Sequence, residues 1–136
     1  MRTLTLEGDI TAVDTRTTLT AQGSVASPSL VTPSTAKLIT GLILSCTSEA
    51  LADGAQSFFV RIGGNAVRNG EQVIAISAAG RIAPQSGSDS APQLMKPLVL
   101  ENMDIEVGPS DTVSVSVEGA GTDTGTAHAV VTLIFA

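Results

Sequence analysis

His128 and Cys46 are the sole histidine and cysteine of a 136-residue chain that has no tryptophan, no tyrosine and three phenylalanines. Histidine, cysteine and aromatic rings carry most proton transfer, nucleophilic attack, metal binding and stacking on sugars or bases, so these few residues set the limits of any chemistry here. A Ser-His-Asp site has to use His128, with Asp123 near it in sequence, but no G-x-S-x-G elbow occurs to present a serine. A zinc site fails on ligand count, because one His and one Cys far apart leave only carboxylates to complete it. Asp104 and Glu106 stand two apart on an expected strand and share a face, a spacing that could serve a glycosidase or part of a calcium site. Glycosidase clefts are normally lined by aromatics, and no EF-hand spacing appears. The loop Glu118 to Thr126, with Asp123, is the other conceivable calcium site, and solvated loop polarity accounts for it as well. Gly63, Gly64 and Gly70 lack the order of a phosphate-binding loop and read as hairpin punctuation. Arg61, Arg68 and Arg81 surround that hairpin and suit ion pairs with Glu71, Asp53 or a neighbouring chain. The expectation is no catalytic residue, no metal ligand, no cofactor site and no enzyme.

Composition points the same way. The formal charge is −6, with the seven basic residues scattered from Arg2 to Lys96, so neither nucleic acid nor an anionic membrane is an expected partner. A hydrophobic fraction of 43% against 15% charged residues argues for a packed core and against disorder. The amino terminus MRTLTLEGDI lacks an apolar stretch followed by a small-residue cleavage site, which favours assembly inside a cell. No apolar run approaches the roughly 18 residues that span a bilayer. Cys46, within LILSC, is expected to act as a small core hydrophobe.

Any site must be positioned by strands, because a period of two recurs from end to end. Thr112 to Glu118 reads TVSVSVE, with Val113, Val115 and Val117 on one face. Leu4, Leu6 and Ile10 alternate with polar residues near the start, and Gly8 on their face marks a bulge or a close backbone contact. A short strand is expected within Thr15 to Ala21, and an extended connection over Gln22 to Pro33. The segment Ala36 to Thr47 is apolar on both alternating faces, with Leu38, Leu42, Leu44 and Cys46 on one and Ile39 and Ile43 on the other. That pattern predicts a central strand covered on both sides. Ser57 to Ile62 and Glu71 to Ser77 form an expected hairpin, with Phe58, Val60 and Ile62 facing inward. SEALADGAQ, between Thr47 and Ser57, reads as one helical turn or a loop. Leu98, Val99 and Leu100, then Met103, Ile105 and Val107, fit two short strands separated by a break at Glu101-Asn102, and Gly108 to Asp111 is a turn. The closing strand HAVVTLIFA sets Ala129, Val131, Leu133 and Phe135 against His128, Val130, Thr132 and Ile134.

About eight to ten short antiparallel strands without an amphipathic helix predict an all-β, single-domain sandwich over residues 1–136, jelly-roll-like, with a long exposed loop near 81–94. Phe58, Val60, Ile62, Leu42, Leu44, Val113, Val115 and Val117 are its expected core.

The stretches TPSTAKLITGLILS, DGAQSFFVRIGGNAV and NGEQVIAIS, between Val31 and Ser77, resemble small β-sandwich virion proteins of prokaryotic viruses: capsid decoration or cement proteins and small jelly-roll capsid proteins. The resemblance implies an oligomeric shell component, commonly a trimer, made in the host cytoplasm and residing in the virion. It also implies no disulfide, cofactor or catalysis, with the chain itself and a major capsid protein as partners. The two-sided closing strand and the first strand supply the expected oligomer interface, namely Leu4, Leu6, His128, Val130, Thr132 and Ile134. Alternative readings are a subunit of an extracellular filament, with TLTLEGDI added as a strand to the next subunit, and a receptor- or carbohydrate-binding module, against which the lack of Trp and Tyr counts.

Overall fold

In the computed structural model, the described residues are 2–10, 15–21, 30–48, 57–77, 81–82, 93–95, 97–120 and 127–136. They form thirteen strands and no helix: β1 (Arg2–Ile10), β2 (Thr17–Thr18), β3 (Thr20–Ala21), β4 (Leu30–Val31), β5 (Leu38–Ser48), β6 (Ser57–Gly63), β7 (Gln72–Ser77), β8 (Arg81–Ile82), β9 (Gln93–Met95), β10 (Leu98–Leu100), β11 (Ile105–Glu106), β12 (Thr112–Ala120) and β13 (Ala127–Phe135). One sheet runs β3-β1-β13-β5-β9-β8, with β10 and β11 also paired to β5; the other runs β2-β12-β6-β7, with β4 on β12. Eight of these strands, β1, β2, β5, β6, β7, β10, β12 and β13, have as neighbours β1-β13-β5-β10 in one sheet and β2-β12-β6-β7 in the other. That antiparallel order is a jelly roll, as the alternation predicts.

The inward positions of both sheets meet in a single core. Leu6, Ile39, Leu42, Leu44, Phe58, Val60, Ile62, Val113, Val115, Val117, Val131 and Leu133 are all buried, so every residue expected in the core is there. Burying one such side chain contributes about 1.5–3 kcal/mol, which lets this core stabilise a chain with no disulfide. The side chain of Cys46 lies outside the described part of β5.

Four local readings change. β5 does not keep one parity along its length. Ile134 pairs with Gly41 and Phe135 with Ile39, so Thr40 is an extra residue on β5, a bulge. The bulge swings Ile39 onto the core face beside Leu42 and Leu44 and leaves Leu38 partly exposed. The freed Thr40 carbonyl accepts the Met103 N–H at 2.9 Å. Second, the strand expected within Thr15 to Ala21 is split: β2 pairs with β12 and β3 with β1, so the chain changes sheet at the fully buried Leu19. Leu19 N–H donates to the Val115 carbonyl at 2.8 Å. Third, part of the expected loop over 81–94 is strand, since Arg81 pairs with Met95 and Ile82 with Leu94; residues 83–92 lie outside the described residues. Fourth, β12 runs on through Glu118 to Ala120, while Asp123 and residues 121–126 lie outside the described residues, as do 22–29 and 49–56. Within the connection expected over Gln22 to Pro33, Leu30 and Val31 form β4 on β12.

Two glycines are fixed by space. The pairing of β1 with β13 is unbroken through Gly8, which is therefore a close approach and not a bulge: a Cβ there would lie 2.9 Å from Leu19 Cδ2. Gly64, at φ +97°, opens the connection from β6 to β7, and a Cβ there would lie 2.6 Å from the Thr112 carbonyl oxygen. That oxygen already accepts the Ala66 N–H at 2.8 Å. Gly64→Ala is expected to destabilise the protein by about 1–3 kcal/mol through left-handed backbone strain, with the clash adding to it; urea unfolding followed by circular dichroism measures the loss. An unchanged midpoint contradicts this reading.

Candidate functional site: the outer face of the larger sheet

The register across β1, β13, β5 and β10 builds the outer face of the larger sheet row by row. Thr5, Thr132, Ile43 and Val99 stand side by side; Thr3, Ile134 and Gly41 form the row on one side, and Glu7, Val130 and Ser45 the row on the other. Beyond these, Asp9 lies opposite His128. Residues directly opposite in a sheet share a face, so this is one continuous surface of β-branched and small side chains, charged at one end. Val99 is 50% exposed, while Ile43, Val130, Thr132 and Ile134 are half-buried. Thr5 and Thr132 hydroxyls are hydrogen-bonded at 3.0 Å, which ties down polar groups between the apolar ones. Gly41 lets Ile134 lie low: a Cβ on Gly41 would be 3.2 Å from Ile134 Cδ1. The expected double cover of β5 is therefore not provided by the described residues of this chain, which leave Ile43 half-exposed.

Four of the six expected interface residues, His128, Val130, Thr132 and Ile134, lie together on this face. Leu4 and Leu6 do not. Leu6 is fully buried in the core and Leu4 packs against it, because β1 turns its leucines inward with Ile10. The outward residues of β1 are Thr3, Thr5, Glu7 and Asp9. Ile43 and Val99 are further members that the alternation of single strands does not reveal, since they join the face only through cross-strand register.

At the charged end, His128 sits between two carboxylates, with Nδ1 2.7 Å from Asp9 Oδ1 and Nε2 3.5 Å from Glu7 Oε2. The hydrogen bond to Asp9 raises the His128 pKa above the ordinary value near 6.5; partial burial works against this, and the charges of Asp9 and Glu7 add to it. A protonated ring donates to both carboxylates. A raised folded pKa means that this stabilisation is complete below about pH 6.5 and lost as pH rises through the folded value. His128→Gln is therefore expected to lower Tm at about pH 5.5 and to have no effect by about pH 9. For so exposed a cluster the loss is under about 1 kcal/mol. A deficit that is the same at both ends of the range contradicts it.

Elsewhere, Arg61 pairs with Glu118 at 3.3 Å and Arg16 with Glu71 at 2.8 Å, so Glu71 goes to Arg16 and not to the arginines near the hairpin. Asp104 and Glu106 are both exposed. An open cleft of about 590 Å³ at one end of the sandwich is lined in part by Ser34, Lys37, Arg68, Glu106 and Pro109. Among the described residues no three His, Cys, Asp or Glu side chains converge as metal ligands. Compared with protein-family models, curated proteins and solved structures, the chain matches none.

Proposed function

We propose that this protein is a structural subunit of a virion shell, either a capsid decoration protein or a small jelly-roll shell protein, that works by packing and not by catalysis. The observation that carries the proposal is the outer face of the larger sheet. Val99, Ile43, Val130 and Ile134 form an apolar band across β10, β5 and β13, with hydrogen-bonded threonines beside it. A band of this kind gains by being covered, and protein–protein contact is the ordinary way to cover it. The jelly-roll order adds support, since capsid proteins use it widely; lectins and cupins use it too, so the face and not the topology selects the function. The likeness of Val31 to Ser77 to small virion proteins points in the same direction. On this reading the subunit is a homo-oligomer, a trimer, that assembles in the host cytoplasm and contacts itself and a major capsid protein.

Light scattering and sedimentation of the purified protein, followed by electron microscopy, test the proposal. A stable trimer, or particles of defined size, is the expected result. A folded monomer of constant mass over a wide concentration range, unable to bind shells, refutes it.

A further inference from the structure

The open cleft at one end of the sandwich has fixed walls and two cations that the chain itself leaves unused. One wall is the turn at Ser34-Thr35 with Ala36 to Leu38 after it; the other is Arg68 with Glu106 to Pro109. Backbone hydrogen bonds pin these segments together. Val107 N–H donates to the Lys37 carbonyl at 2.9 Å, Arg68 N–H to that of Glu106 at 3.1 Å and Gly108 N–H to that of Ala66 at 2.8 Å. Behind them the buried Thr32 hydroxyl donates to the Gly108 carbonyl at 2.6 Å. The Arg68 guanidinium lies along Gly108, where a Cβ would be 3.6 Å from Nη2. Arg16 and Arg61 pair with Glu71 and Glu118 across the smaller sheet. Lys37 and Arg68, both exposed, have no carboxylate partner and no side-chain hydrogen bond among the described residues, although Glu106 lines the same cleft. Arg2 lines the adjoining hollow, which shares Thr35 and Ala36 with the cleft, and it too lacks a carboxylate partner among the described residues.

We infer that this cleft is a docking site for an acidic peptide segment of a partner protein. Charge complementarity selects the occupant. In a chain of net charge −6, Lys37 and Arg68 are left open at one place, and a carboxylate is what they lack. The planar fork of Arg68 matches an aspartate or glutamate carboxylate through two parallel N–H···O bonds, while Lys37 supplies a point charge for a second. Ala36, Val107 and Pro109 give the apolar side chains between those acids a surface to rest on. The open shape suits a peptide lying across the cleft, since a small-molecule site encloses most of its ligand. Glu106 narrows the choice further. It repels a dense polyanion such as a phosphate chain, but leaves room for single carboxylates spaced among neutral residues. This inference stands apart from the shell reading, which uses the outer face of the larger sheet.

Fluorescence anisotropy with a short labelled peptide of alternating glutamate and leucine tests it, with the glutamine counterpart of that peptide as control and short-chain polyphosphate as competitor. The glutamate peptide is expected to bind saturably and the glutamine peptide not to bind. Arg68→Gln should weaken binding by about tenfold without changing the thermal melt, because the side chain is exposed and its fork is lost. Arg68→Lys should restore only part of the affinity, and Glu106→Gln should raise it. Arg16→Gln and Glu101→Gln make the same charge changes outside the cleft and should leave binding unchanged, as should Ile134→Asp on the outer face. Absence of binding by the glutamate peptide, an equal loss from Arg16→Gln and Arg68→Gln, or displacement by polyphosphate at concentrations below those at which the peptide binds overturns the inference.

Discussion

Ile134→Asp is expected to leave the sandwich folded and to abolish its larger assemblies. Ile134 lies on the outer face, half-buried, between Thr3 on β1 and Gly41 on β5, so an aspartate there meets solvent in the isolated subunit. In an assembly that covers this face the same carboxylate loses its water, with no cation beside it in the row. An unpaired charge buried in this way costs about 3–5 kcal/mol, equivalent to a loss of affinity of a hundredfold or more at each contact. Symmetry multiplies the effect, because every subunit carries the change. Val99→Asp, at a position 50% exposed, should act in the same direction with still less influence on the fold. Sedimentation measures the mass, and a thermal melt shows whether the subunit is intact. Full-size assemblies from either variant would remove the outer face from the shell reading.

Phe58→Ala should have the largest effect on stability. Phe58 heads the largest fully buried side chains, on the inner face of β6, which lies between β12 and β7. Deleting a buried phenyl ring costs about 3–5 kcal/mol, from lost transfer energy and the cavity left behind. Against the 5–15 kcal/mol typical of a domain, that is a large fraction of the total. Phe59, the next residue, points to the opposite side and is partly exposed, so Phe59→Ala should cost at most about 1 kcal/mol. Urea denaturation of the two variants compares them directly. Equal losses would mean that the inward and outward assignments of β6 are wrong.

The two-residue period was enough to read the long strands and the core they bury, because one face of each such strand must leave water and alternation records which one. Val113, Val115 and Val117 show this most plainly. The same signal is lost where backbone geometry changes the count. Nothing in AKLITGLILSC marks Thr40 as the extra residue, since threonine fits a regular strand as well as a bulge, and so Ile39 reads as sharing the face of Ile43 when it lies on the core face with Leu42 and Leu44. The change of sheet at Leu19 is hidden for a similar reason: two-residue strands carry no period. Within the candidate face, the outward half of β13 was legible in the sequence, whereas its neighbours were not. Leu4 and Leu6 are apolar and so resemble interface residues, but β1 spends them on its own core and turns threonines outward. Ile43 and Val99 enter the face through pairings between segments far apart in the chain, which no local pattern encodes.

The placement of β13 also orders events in time. Its nine residues, at the very end of the described chain, insert between β1, the first strand, and β5. A ribosome therefore delivers every other described strand before the one that joins these two, and until then the edges of β1 and β5 that face β13 stay open. Such long-range pairing is slow to form and leaves nascent chains prone to sticking to one another. The larger sheet, and the face proposed for assembly, come into being only once β13 has been made. A nascent chain that has not yet delivered β13 has no completed outer face to offer, so assembly through that face waits for this strand.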